Sequence, residues 1–212
     1  MNYYPAFLNL KGKKAVVVGG GRIAERKVLS LVKAGADVTV VSPQLTERLR
    51  KEKEAKRIRH RARKYRPGDL KDSFLVIAAT DSPEVNSKVA CGAPALLNVV
   101  DVPRECNFIA PSVVKRGQLV FAISTGGTSP AFAKAVRKEI EKSYGRVFSD
   151  YLGFVKALRP RAMREIGDKA AREEFLKGLA SGDILDMLRT KGLDAVKQLV
   201  MAGFRKLAGK KQ

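Results

Sequence analysis

The chain has 212 residues, with 42 Lys and Arg against 21 Asp and Glu, a single His and a formal charge of +21. A hydrophobic content of 45%, arranged in patterned runs of Ile, Leu, Val and Phe, predicts one large or two small folded domains and excludes a disordered polycation. No stretch reaches the roughly 18 uncharged apolar residues of a membrane span. MNYYPAFLNLKGKK lacks the order of a secretory signal, and Cys91 and Cys106 form no CxxC pair, so a cytoplasmic location is expected.

In chain order, Ala15 to Val18 is a short β-branched run ending in three glycines, as a buried parallel strand would. Ala24, Val28, Leu31 and Val32 recur at helical spacing between Ile23 and Ala34, with Gly35 as the stop. Val38 to Val41 predicts a second buried strand, and Leu45 to about Ala55 a charged helix. Arg57 to Tyr65 is too basic for a core strand, although Ile58, His60 and Ala62 alternate as on a sheet edge. Phe74 to Ala79 predicts a strand, Val85 to Cys91 a short helix and Leu96 to Val100 a further strand. This alternation predicts a parallel sheet covered on both faces. After Pro111 the pattern changes. Leu119 to Ser124 predicts a strand, and Ser129-Pro130 starts a helix to about Tyr144. Helices are then expected over Phe148–Leu158, Lys169–Leu179, Ile184–Arg189 and Leu193–Leu207, with Lys206 to Gln212 read as a frayed tail.

Gly19, Gly21 and Ala24 form G-x-G-x-x-A between a strand and a helix. In that context the first glycine makes the tight turn, the second lets backbone amides approach a pyrophosphate, and the small third residue packs the helix on the sheet. Unpaired N–H groups and the helix dipole then favour an anion. The acidic residue that would hold the ribose hydroxyls at the end of the second strand is missing. Ser42, Pro43 and Gln44 stand there, and none excludes a 2′-phosphate, so the choice between NAD and NADP stays open. Arg22 reads equally as a phosphate contact or a solvated helix-start residue.

Five words follow in order: GGGRIAERK, VTVVSPQL, LVIAATDSPEVN, NVVDVPRECNFIAPSVV and AISTGGTSPAFAKAVRKEI. Together, from Tyr4 to about Tyr144, they resemble the siroheme synthase family, whose members act as precorrin-2 dehydrogenases and in some cases also as sirohydrochlorin ferrochelatases. The words N-V-x-D-x-P with F-x-x-P-S, and S-x-G-G-x-S-P, are far more specific than a dinucleotide fingerprint. The resemblance implies an α/β chain in three parts. A Rossmann-like NAD-binding domain with a parallel sheet covers 1–112, an α+β dimerisation region 113–145 and a helical C-terminal domain 146–212. It further implies oxidation of precorrin-2 to sirohydrochlorin with NAD, a homodimer, and ferrous ion as a second substrate in bifunctional members.

Carried onto this chain, the resemblance makes Asp101 the catalytic residue. A carboxylate there accepts the proton that leaves as hydride goes to nicotinamide, and macrocycle N–H protons during metal insertion; otherwise it caps a turn before Pro103. Gly19, Gly20, Gly21, Arg22, Ile23, Ser42, Pro43, Gln44 and Thr80 are the cofactor-binding set. Asn98, Ser124, Thr125, Gly126 and Ser129 are the substrate-binding set, with Asn98 read equally as a strand-end staple and Ser129-Pro130 sufficient as a helix start. Asp81 suits an N-cap for the helix after it. His60 among cations makes no metal site, and no metal ligands are expected; Cys91 and Cys106 read as core or near-site thiols.

The charge needs a partner or a solvated face. Lys51 to Arg66 is cation-dense but has one aromatic, Tyr65, so the stacking platforms of single-strand binders are missing, and neither nucleic acid nor membrane is expected. The tetrapyrrole, with eight carboxylates by the family's chemistry, suits cations at a cleft, where Arg104, Lys115, Arg116, Lys134 and Arg137 are better placed. The alternative is an NAD-sensing regulator with a basic helical region that contacts DNA or a protein.

Overall fold

The β-branched run before the glycines forms the central strand of a parallel sheet. The structure is a computed structural model that describes residues 3–93 and 96–209. Strands β1 (Lys14–Val18), β2 (Asp37–Val41), β3 (Ile58–Arg61), β4 (Leu75–Ala78) and β5 (Leu96–Val99) lie in the order β3-β2-β1-β4-β5, all parallel. Because side chains alternate along a strand, β1 serves two cores. Ala15 and Val17 pack with Ala24, Val28 and Leu31 of α1 (Arg22–Lys33) and Leu49 of α2 (Glu47–Glu54). Val16 and Val18 pack on the other face with Leu70 and with Val89 of α3 (Pro83–Gly92). Each fully buried Val contributes about 1.5–3 kcal/mol, which is why a continuous apolar run outcompetes any amphipathic alternative here.

With α1 and α2 on one face and α3 on the other, the winding reverses between β1 and β4. Open α/β sheets bind ligands at that reversal, outside the carboxyl ends of the strands. The basic segment after α2 forms the edge strand β3, where Ile58 is buried and Arg59 and Arg61 reach solvent.

Contacts divide the chain into two compact units, 1–110 and 111–212. In the second, β6 (Ser112–Arg116) and β7 (Leu119–Ile123) form an antiparallel hairpin around Gly117. β6 is absent from the sequence reading, because a short mixed run ending in Lys115-Arg116 carries no clear period; the Arg116-Gly117 turn was its only signal. Helix α4 (Pro130–Ser143) is capped by the Ser129 hydroxyl, which accepts from the Phe132 N–H at 3.2 Å.

Helix α5 (Arg146–Glu165) continues past the expected end at Leu158 and contains Pro160. That proline forgoes one backbone bond, but Leu158 and Ala162 bury on either side of it, and their packing holds the helix together. Helices α6 (Lys169–Gly178), α7 (Gly182–Thr190) and α8 (Gly192–Ala208) complete the unit around Phe148, Leu188, Val196 and Phe204. The buried Tyr151 hydroxyl donates to the Leu179 carbonyl at 2.7 Å. Helix α8 carries Lys206–Ala208, so the expected fraying does not begin there; 210–212 lie outside the described residues. Among the described residues no helix is long and apolar enough to cross a membrane.

Candidate functional site

The glycine turn sits at the carboxyl end of β1, against the reversal point. Gly19 has φ 120°, donates to the Val41 carbonyl at 2.9 Å, and has no room for a side chain, since a Cβ would lie 2.1 Å from the Ala79 carbonyl oxygen. Gly20 is equally confined: a Cβ would lie 2.0 Å from the Gln44 carbonyl oxygen, while its own carbonyl accepts from the Thr46 N–H at 3.1 Å. Gly21, the α1 N-cap, has nothing within 4 Å of a Cβ position and faces open space. Gly19 and Gly20 thus let three strand ends close together, and Gly21 leaves the helix N-terminus accessible to an anion. The sequence motif anticipated the tight turn at Gly19 and the close packing at the fully buried Ala24. It missed that Gly20, nominally a free position, is the tightest of the three.

Ser42 is buried, and its hydroxyl donates to the Gln44 carbonyl at 2.7 Å, while its carbonyl lies 2.8 Å from Nε2 of His60. The lone histidine therefore holds the loop after β2 from the neighbouring strand. Pro43 and Gln44 are exposed. After β4, Thr80 is fixed by the buried Asn86: its hydroxyl donates to Asn86 Oδ1 at 2.8 Å, and Asn86 Nδ2 donates to the Thr80 carbonyl at 3.0 Å. The cap of α3 is Ser82, whose hydroxyl accepts from the Val85 N–H at 3.3 Å, so the N-cap expected of Asp81 falls one residue later.

At the end of β5, Asp101 is exposed and has φ 60°, a left-handed conformation that L residues other than Asn and Asp seldom adopt. Its turn is closed by the Val102 N–H to the Val99 carbonyl at 3.4 Å. The Cys106 sulfur anchors it further, accepting from the Val99 N–H at 3.1 Å. Asn98 is buried and donates to the Phe108 carbonyl at 3.1 Å, so its amide group staples the 106–108 segment to β5. Cys91, by contrast, is exposed and belongs to no core.

One neighbour of Asp101 escaped the sequence reading. Lys27 lies on α1 at the spacing of Ala24, Val28 and Leu31, and is half-buried. Burial lowers its pKa from the ordinary lysine value, and the Arg26 guanidinium lowers it further; Cys106 and Asp101 act in the opposite sense. A lysine on the sheet-facing side of an amphipathic helix is the signal that could have found it.

Gly19, Gly20, Gly21, Ser42, Thr80 and Asp101 thus share the carboxyl edge of the sheet, with Arg22 and Ile23 exposed in the first turn of α1. The expected site residues Ser124, Thr125, Gly126 and Ser129 belong to the second unit. There Ser124 Oγ accepts from the Gly126 N–H at 3.0 Å and Thr125 Oγ1 from the Ser129 N–H at 3.1 Å, so the turn organises itself. Arg116 donates to the Tyr144 carbonyl at 3.1 Å, and Arg137 pairs with Glu141.

Four arginines of the cation-dense stretch are paired: Arg57 with Glu52, Arg59 with Asp37, and Arg61 and Arg63 with the buried Asp69. Among the described residues no group of three His, Cys, Asp or Glu is placed to hold a metal ion.

Comparison with known proteins agrees with this geometry. An NAD(P)-binding family model matches residues 6–112, and one for the central region of sirohaem biosynthesis proteins matches residues 116–143. The chain belongs to the NAD(P)-binding family whose model covers half of its length. Among similar proteins, the siroheme synthase of Methylobacillus flagellatus is 40% identical over 207 residues, covering 94% of this chain and 44% of that protein. The siroheme synthase of Nitrosococcus oceani is 36% identical over 191 residues, covering 89% of this chain and 41% of that protein. The chain therefore spans less than half the length of these relatives. Among solved structures, SirC, a precorrin-2 dehydrogenase, superposes with a TM-score of 0.80 at 27% identity, covering 94% of this chain and 100% of that one.

Proposed function

We propose that this chain is a nicotinamide-dependent dehydrogenase that oxidises precorrin-2 to sirohydrochlorin in siroheme biosynthesis. The observation that carries the reading is the placement of an open helix N-terminus at Gly21 and an exposed, left-handed carboxylate at Asp101 on one sheet edge. The likeness to SirC along its whole length supports it.

The glycine cradle fits a dinucleotide: Gly19 and Gly20 are closed by their own neighbours, and only the Gly21 side stays open to a pyrophosphate. When bound, the nicotinamide supplies a hydride acceptor. Asp101 accepts the proton that leaves with the hydride, so the substrate loses two hydrogens in all. Lys27 offers a cation to a substrate carboxylate beside that turn, and Thr80, locked by Asn86, borders the cofactor crevice. Ser124, Thr125, Gly126 and Ser129 contact the tetrapyrrole, and Asn98 acts by holding the Asp101 turn. Iron insertion, where it occurs, uses Asp101 a second time as proton acceptor, with ferrous ion as substrate. The homodimer is part of the proposal and is supported by the exposed Val113 and Phe132 of the second unit. The regulator alternative, which needs a basic helical region that contacts DNA or a protein, has no comparable support among the proteins this chain resembles.

The test is conversion of precorrin-2 by the purified chain with NAD or NADP, followed by the absorbance of sirohydrochlorin. Absence of conversion under conditions where a known precorrin-2 dehydrogenase turns over removes the proposal.

A further inference from the structure

We infer that the Cys106 thiol is a positioning residue for the reaction: it holds the left-handed turn that presents Asp101, and the base loses its placement without it. The inference rests on the reading of Asp101 as proton acceptor given above.

Asp101 stands on a turn with little of its own to hold it. Its φ of 60° is a conformation that costs an L residue about 1–2 kcal/mol. The backbone bond that closes the turn, from the Val102 N–H to the Val99 carbonyl, is 3.4 Å long, at the weak end of the range. The Asp101 carboxylate forms no hydrogen bond or ion pair among the described residues, so it does not anchor its own turn. In addition, β5 is an edge strand. Val100 donates inward to the Ala78 carbonyl at 2.9 Å, so the N–H of Val99 points outward, where no strand receives it.

Cys106 meets both needs. A single 3-10 turn over Pro103–Glu105 carries the chain back to the strand end. The Cys106 sulfur then accepts from the Val99 N–H at 3.1 Å and from Asn98 Nδ2 at 3.6 Å. Its one proton is shared between the Val99 carbonyl at 3.2 Å and the Val102 carbonyl at 3.4 Å. One atom thus ties the residues on either side of Asp101. The side chain packs with Val102 against the apolar core on the α3 face of the sheet. A thiol there loses little on leaving water, yet still serves as donor and acceptor. A reacting group displaced by about 1 Å forfeits about 10²-fold in rate, so loss of this tie is expected to register in turnover.

The test is a cycle of wild type, Cys106→Ala, Asp101→Asn and the double variant, assayed by single-turnover oxidation of precorrin-2 at saturating dinucleotide. Cys106→Ala is expected to slow oxidation about tenfold while dinucleotide affinity by titration stays within about twofold. In the Asp101→Asn background the same substitution should slow it by less than about twofold, since no carboxylate is left to place. Cys106→Ser, which keeps a donor and an acceptor, should recover most of the rate. Cys106→Val keeps the apolar packing without the hydrogen bonds; it should match the alanine variant, and it replaces that variant if alanine prevents folding. Cys91→Ala removes the exposed thiol and should leave the rate as it was. Wild-type turnover in Cys106→Val overturns the inference. So does an equal loss with and without the carboxylate, because the thiol then acts on the fold as a whole. Asp101→Asn at the wild-type rate removes the base reading itself, and this inference with it.

Discussion

Asp101 can be tested so that its chemical and conformational roles separate. Its φ of 60° places it in the left-handed region, at the third position of the turn closed by Val99 and Val102. A side chain there costs an ordinary L residue about 1–2 kcal/mol, a penalty that Asp and Asn partly offset by local hydrogen bonding and Gly avoids. Asp101→Asn should therefore fold as well as the wild type, Asp101→Ala should lose about 1 kcal/mol, and Asp101→Gly should match or exceed the wild type. For a unit of this size, 1 kcal/mol corresponds to a Tm shift of about 4–8 °C. All three substitutions remove the proton acceptor, which is worth about 10²–10⁴ in rate, or about 3–5.5 kcal/mol in the barrier. The assay is single-turnover oxidation of precorrin-2 at saturating dinucleotide, alongside calorimetric Tm. Activity should fall to a common low level while stability ranks Gly, Asn, Ala. An Asn variant that oxidises within threefold of the wild-type rate, or activities that follow the stability ranking, would refute the assignment of Asp101 as base.

The Asp69 side chain is only 2% exposed, bonds to Arg61 and Arg63, and accepts from the Arg66 N–H at 2.9 Å. Asp69→Asn should cost about 2–4 kcal/mol, below the full value of a broken buried pair because the arginines reach solvent; an unchanged urea midpoint would contradict this. The Arg63 guanidinium is the main cause that holds the Asp69 carboxyl well below the usual carboxylate range. The contribution is therefore full above pH ~4 and is lost as pH falls below that, since the unfolded chain takes up protons first. Urea midpoints measured from pH 7 down to pH 3 should drop less in Asp69→Asn than in the wild type. Gly20→Ala must displace the Gln44 carbonyl by more than about 1 Å to restore ordinary contact. It should abolish dinucleotide binding by titration while the helical circular dichroism persists, and retained affinity would show that the cradle tolerates a Cβ.

Much of the first unit was legible because its signals are local. The run Ala15–Val18, the spacing of Ala24, Val28 and Leu31, and the glycines between them report strand, helix and turn without reference to the rest of the chain. The Ser129-Pro130 start of α4 is legible for the same reason, and the words around Asp101 and Ser124–Ser129 carried the family. β6 and the passage of α5 through Pro160 were not legible, since each depends on packing against distant partners rather than on its own period.

The same division applies to the charge. Sequence alone determined an excess of cations and a glycine turn suited to an anion. Only the tertiary structure decided which cations meet a carboxylate. Arg59 meets Asp37 across two strands, Arg61 and Arg63 close on Asp69, and Glu25 is drawn to Thr46, leaving Arg22, Arg26 and Arg48 around one pocket. Periodicity specifies which face a residue occupies, but the partner of a charge is set by chain segments that meet only when the sheet is wound.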